Sequence, residues 1–216
     1  HLRSTASMSK RAKANLATPK RGNESQARNH PRNTPSEVVA FLRDYHDRLG
    51  KAVFENGGTL DKYLGDGLMA TFGTPDPGSD DAENALNCAF EMLSSLEKWN
   101  REREANGSLP VHIGIGVHYG PVISGDIGNQ RRLEYSVIGD TVNVASRLET
   151  LTRMLNTSLV VSNDLIESIS QRGKIKQTLT SKLKLVGMQD LRGKSEQIGV
   201  WIYETSSTNQ KHLSRN

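Results

Sequence analysis

The sequence predicts a mixed α+β domain in which helices layer onto a sheet, and three observations predict it. Val111, Ile113, Ile115 and Val117 alternate with His112, Gly114, Gly116 and His118, the period of a strand with one packed face and one nearly bare. Val38, Leu42, Tyr45, Leu49 and Val53 recur at spacings of three and four, which makes a single apolar stripe on a helix. Two strand-like runs, Thr59 to Leu64 and Leu68 to Phe72, flank Gly65-Asp66-Gly67 and read as a hairpin.

The first helix is expected to open at Thr34-Pro35-Ser36-Glu37. Thr34 can cap the first turn, proline is tolerated at the first helical position, and Glu37 completes a capping box. Asn56-Gly57-Gly58 ends that helix. After the hairpin, a second helix opens near Asp80 with Glu83 three positions on, carries Leu86, Phe90, Leu93 and Leu96, and stops at Asn106-Gly107. The Val111–Val117 strand follows, its bare glycines open to another backbone or a ligand. Beyond a loop from Gly120 to Gly128 come a strand over Leu133 to Ile138, a helix over Thr141 to Arg153, a strand over Ser158 to Ser162 and a short helix over Asn163 to Ser170. Strands over Lys182 to Val186 and Ile198 to Glu204 close the domain.

The chain has 216 residues and 35% apolar content, which suits one ordinary domain. No run of 18 apolar residues and no leader-like segment is seen, so a spanning helix and secretion are not expected. A lone cysteine, Cys88, excludes an internal disulfide framework and a zinc module and points to a reducing, cytoplasmic setting. Residues 1–34 hold eight Lys/Arg against Glu24 alone, a net +7, which leaves the remainder near −3 of the total +4. With scarcely any aliphatic or aromatic residues, 1–34 reads as a disordered basic tail, 206–216 as a disordered C-terminal tail, and 35–205 as the folded domain. Lacking interleaved aromatics, the basic tail is not expected to bind nucleic acid specifically.

Three groups of residues can carry chemistry. Lys62-Tyr63-Leu64-Gly65-Asp66-Gly67 places a carboxylate at a hairpin tip; Asp there is often only a turn residue, but it also suits Mg²⁺, which prefers one or two carboxylates plus substrate phosphates. Asn143 and Arg147 lie four apart and share a helix face beside the apolar stripe of Val144, Leu148 and Leu151. Such a pair is either ordinary helix surface or a device that orients a hydroxyl and neutralises a phosphoryl group. Leu191-Arg192-Gly193-Lys194 is a basic pair on a turn, which by itself reads as solvated surface.

Together these segments resemble the catalytic domain of class III adenylate and guanylate cyclases. The match rests on PSEVVAFLRDYHDRLGKAVFENGGTLDKYLGDGLMATFG, VHIGIGVHYGPVISGDIG and LEYSVIGDTVNVASRLE, in the family's order and spacing, from Pro35 to about Glu204. The chain looks most like bacterial cyclases of the branch that includes bicarbonate-responsive enzymes. The resemblance implies a ferredoxin-like βαββαβ core working as a head-to-tail homodimer with ATP in the groove between subunits. It also implies roles: Asp66 as the second of two metal-binding aspartates, for Mg²⁺ or Mn²⁺; Lys62 and Ser136 as the base-reading pair; Asn143 and Arg147 as the pair that orients the ribose and stabilises the transition state. Arg192 falls at the triphosphate-binding position, usually Lys, and Lys194 is the nearby alternative. The family's first metal aspartate lies on an initial strand, in a Phe-x-Asp-Ile-x-Gly-Phe-like segment about 25 residues before the first helix. No Asp precedes Asp44, so that strand is expected to be missing or replaced. The implied activity is conversion of ATP to 3′,5′-cyclic AMP and pyrophosphate; the alternative is an inactive cyclase-homology module that binds nucleotide or dimerises. Hydrogen-bond direction favours ATP: the Lys62 ammonium can only donate, which suits adenine N1, whereas guanine N1 carries a hydrogen.

Overall fold

The computed structural model describes residues 12–17, 34–129, 132–171, 177–192, 194 and 196–204. Chain order runs β1 (Ala12–Ala17), α1 (Pro35–Glu55), β2 (Thr59–Leu64), β3 (Gly67–Phe72), α2 (Asp81–Ala105) and β4 (Ile115–Pro121). It continues with β5 (Ile123–Asn129), β6 (Arg132–Ile138), α3 (Asp140–Met154), β7 (Leu159–Ser162), α4 (Asn163–Ser170), α5 (Gln177–Thr180), β8 (Leu183–Gln189) and β9 (Ile198–Tyr203). The main sheet has the order β2-β3-β1-β4-β7-β9-β8, and β5 and β6 pair as a separate hairpin. Its first half, a β-α-β-β-α-β path with strand order β4-β1-β3-β2, is the ferredoxin-like arrangement.

Local chemistry sets the helix ends. The Glu37 amide donates to Thr34 Oγ1 at 3.3 Å and the Thr34 amide donates to Glu37 Oε2 at 2.6 Å, completing the capping box. α1 lays Tyr45, Leu49 and Val53 on the sheet, and α2 adds Leu86, Met92 and Trp99, so that with α4 they cover Phe72, Ile115, Val117 and Leu159. Cys88 is fully buried in this layer; burial pushes its thiol up to about 12, leaving a packing residue rather than a nucleophile. The opposite face of the sheet is held by α3, whose Val144, Leu148 and Leu151 pack on Val160, Leu191, Ile198 and Val200. No helix among the described residues is long and apolar enough to cross a membrane.

Three findings differ from the sequence expectation. Residues 1–34 were read as disordered, yet Ala12–Ala17 forms the central strand, antiparallel to β3 (Leu16 opposite Ala70) and to β4 (Leu16 opposite Val117). The rest of 1–34, and residues 206–216, lie outside the described residues. A slot with a ladder edge on both sides rewards main-chain pairing itself, because backbone N–H and C=O groups need partners whatever the side chains. An apolar-pattern reading therefore under-weights such a strand. Its six residues carry no carboxylate, so the first strand is replaced, but without the metal-binding aspartate.

The alternating run at 111–117 also shifts, since the strand begins only at Ile115. Asn100 of α2 captures Val111 instead: its Nδ2 donates to the Val111 carbonyl at 2.8 Å and its Oδ1 accepts from the Val111 amide at 2.7 Å. The segment from Gly120 to Gly128, read as a loop, largely becomes β5 of the hairpin.

Candidate active site

Three elements carry the residues singled out from the sequence. The β2–β3 turn presents Asp66 after Gly65, whose φ of +70° an L side chain rarely adopts. The β6 strand presents Ser136, 8% exposed, and Lys62 of β2 donates from Nζ to Ser136 Oγ at 2.8 Å. These two residues are 74 positions apart in the chain, so the predicted base-reading pair meets in space. Asp66 Oδ1 is buried and has no hydrogen-bond partner among the described residues. A buried acceptor of that kind is costly unless something outside the chain satisfies it.

The third element is α3. Its start is clamped to the end of β4 by Thr141 Oγ1, which donates to the Pro121 carbonyl at 2.5 Å. Burial of Val144 and Leu148 fixes the helix's rotation, leaving Asn143 exposed and Arg147 half-buried on another face. Arg147 has a buried guanidinium nitrogen, Nη1, with no partner among the described residues, a cation poised for an anion. No hydrogen bond or ion pair joins Asp66 to Asn143 or Arg147 among the described residues.

Lys194 takes a place that its spacing did not indicate. Its Nζ lies 2.9 Å from Asp140 Oδ2, and that hydrogen bond holds the Asp140 carboxyl below the usual carboxylate range. Asp140, the first residue of α3 and well placed against the helix dipole, was not singled out from the sequence; its partner is supplied by a loop 54 positions later, which no local pattern shows. Lys194 thus ties the β8–β9 loop to the start of α3, and Arg192 of the same loop is exposed.

His118 of β4 sits beneath this corner, with Nδ1 2.8 Å from Ser162 Oγ and 3.8 Å from Asp164 Oδ2. Burial is the main cause that pushes its pKa from 6.5 down to about 4; Asp164 and Asp140 oppose the shift and Lys194 adds to it. A histidine depressed on folding binds its proton more readily in the unfolded chain, so its stability contribution is whole above 6.5 and is lost as pH falls towards 4. Thermal unfolding across that window should show the parent losing up to about 3 kcal/mol more than His118→Gln; parallel pH profiles for the two chains refute this.

The chain matches the family model described as the Adenylate and Guanylate cyclase catalytic domain over residues 24–204. It is 37% identical over 171 residues to an adenylate cyclase of Anabaena cylindrica, a match covering 77% of this chain and 32% of that protein. It is 34% identical over 151 residues to adenylate cyclase 1 of Rhizobium meliloti (strain 1021), covering 70% and 23% respectively. The chain therefore spans about a third or less of these relatives. Among solved structures, the guanylyl cyclase Cya2 superposes with a TM-score of 0.73 at 27% identity, over 93% of this chain and 95% of that one. The adenylyl cyclase CyaB from P. aeruginosa shares the fold, with a TM-score of 0.74 at 22% identity, over 92% and 96%. Sheet order, the Lys62–Ser136 contact and a family match over most of the chain agree, and the chain belongs to the adenylate and guanylate cyclase catalytic-domain family.

Proposed function

We propose that this domain is the catalytic unit of a cytoplasmic adenylate cyclase, converting ATP to 3′,5′-cyclic AMP and pyrophosphate in a groove between two copies of the chain. The observation that carries the purine choice is the 2.8 Å contact between Lys62 Nζ and Ser136 Oγ. An ammonium donates to adenine N1 while a hydroxyl can accept from the exocyclic amine. The buried, partnerless Oδ1 of Asp66 fits a hard cation, and one carboxylate with substrate phosphates is an acceptable Mg²⁺ set. Asp66 would hold Mg²⁺ or Mn²⁺, which supplies neutralisation of the phosphate charge.

The ribose 3′-hydroxyl attacks the α-phosphorus, the new O–P bond replaces the bond to pyrophosphate, and the hydroxyl proton leaves to solvent. Asn143 orients the ribose, Arg147 meets the charge growing on the phosphoryl oxygens, and Arg192 binds the triphosphate. The family resemblance supports a site built from two copies, in which Asp66 of one faces Lys62, Ser136, Asn143 and Arg147 of the other.

A second reading, a dimerising nucleotide-binding module without turnover, is favoured by one observation: the β1 sequence contains no carboxylate. One experiment addresses both. ATP and GTP are competed on the purified chain with Mg²⁺ or Mn²⁺ while cyclic products are measured. ATP should win by one to two decades, because a mismatched buried donor pair costs about 1–3 kcal/mol. Preference for GTP overturns the purine assignment, and tight ATP binding without cyclic AMP selects the second reading.

A further inference from the structure

Lys62 has a second neighbour with no assigned role. In the pairing of β2 with β3, Leu60 faces Ala70 and Lys62 faces Met69, so Asp61 is an extra residue, the bulge of the strand. Consecutive side chains of a regular strand point to opposite faces, and a bulge breaks that rule and re-aims side chains. Here it brings the Asp61 carboxylate to its own neighbour: Oδ2 lies 3.5 Å from Lys62 Nζ. The Asp61 side chain is 3% exposed, whereas that of Lys62 is 31% exposed. A carboxylate this deeply buried is rare unless it is paired.

We infer that Asp61 is a positioning residue for purine selection, resting on the reading of Lys62 and Ser136 as the base-reading pair. The ammonium has three N–H donors and no acceptor. Ser136 Oγ accepts one of them and Asp61 holds the nitrogen from the buried side, so the ammonium is fixed in position as a donor towards the ring nitrogen of the base. A fixed donor discriminates between adenine and guanine, whereas a wandering one finds an acceptor on either. Asp61 touches no substrate in this arrangement and acts through Lys62.

The test is the ratio of ATP to GTP affinity, read by displacing a fluorescent ATP analogue from the intact chain, with melting temperature followed in parallel. This measurement needs no turnover. Asp61→Asn removes the charge at constant size and should weaken ATP about tenfold, the scale of one charge-assisted hydrogen bond, while leaving GTP nearly unchanged. Asp61→Glu, which keeps the charge, should retain the ATP preference. In a Lys62→Ala chain, where the preference is already lost, Asp61→Asn should change nothing further. If the amide variant does not fold, Asp61→Ser, smaller and also neutral, reads the same ratio. Equal weakening of both nucleotides, or an unaltered ratio in a neutral variant whose parent prefers ATP, overturns the inference while leaving the base-reading pair intact. A parent that shows no ATP preference overturns the pair itself, and Asp61's role with it.

Discussion

Arg147→Ala chains should bind ATP as tightly as the parent and convert it about 10² to 10³ times more slowly. The separation of binding from turnover follows from where the guanidinium sits. On the proposed reading Lys62 and Ser136 read the base and Arg192 the triphosphate, so ground-state contacts survive the substitution. Arg147 instead carries a buried nitrogen with no partner among the described residues, and a donor held in place before reaction stabilises charge that appears only in the transition state. Steady-state kinetics should show kcat falling with KM unchanged; a rise in KM alone would assign Arg147 to binding. Asp66→Asn, by contrast, should lose metal-dependent nucleotide binding. If the two residues act from opposite copies, as proposed, mixing equal amounts of the two variants should recover about one quarter of parent turnover through mixed dimers with one intact site. No recovery would place both residues in the same chain's site. A parent that binds ATP without producing cyclic AMP removes the kinetic comparison and selects the non-catalytic reading.

The parts legible in the sequence share one property: their determinants are local. The capping box at Thr34 and Glu37, the turn around Asp66 and the shared helix face of Asn143 and Arg147 all rest on residues no more than four positions apart, within reach of periodicity and turn chemistry. What escaped depends on distant partners. Strand β1 has little apolar pattern and forms because β3 and β4 offer edges on both sides. Val111 belongs by alternation to a strand, yet Asn100 satisfies its backbone first. The Lys194–Asp140 tie and the bulge at Asp61 are set by loop placement and register, neither of which a linear pattern encodes. The candidate site follows the same division: its proposed reacting residues come from the resemblance, whereas the contacts around them, Asp140 with Lys194 and Asp61 with Lys62, emerge only from the fold.

Gly116→Ala should be the most damaging single methyl in the domain, because at this position fold and site depend on the same contact. A Cβ at Gly116 would lie 2.2 Å from the Ala145 carbonyl oxygen, 2.3 Å from the Glu149 amide nitrogen and 2.9 Å from the Glu149 Cα. All three are backbone atoms of α3, so no rotamer change can make room. The bare face seen in the alternating run is thus filled by a helix backbone rather than by a ligand. Relief requires α3 to lift from β4, opening the packing of Val144 and Leu148 against Val160 and Val200. The destabilisation should reach or exceed about 3 kcal/mol, the upper range for overpacked cores, read as a lowered urea midpoint with unchanged slope. Asn143 and Arg147 ride on α3, so any Gly116→Ala chain that still folds should lose turnover more steeply than affinity for ATP. Gly125 provides the control: among the described residues nothing lies within 4 Å of a Cβ there, and Gly125→Ala should leave both stability and nucleotide binding near parent values. Equal tolerance at the two positions would mean that α3 is free to shift on the sheet, and a helix free to shift cannot hold a guanidinium in readiness for the transition state.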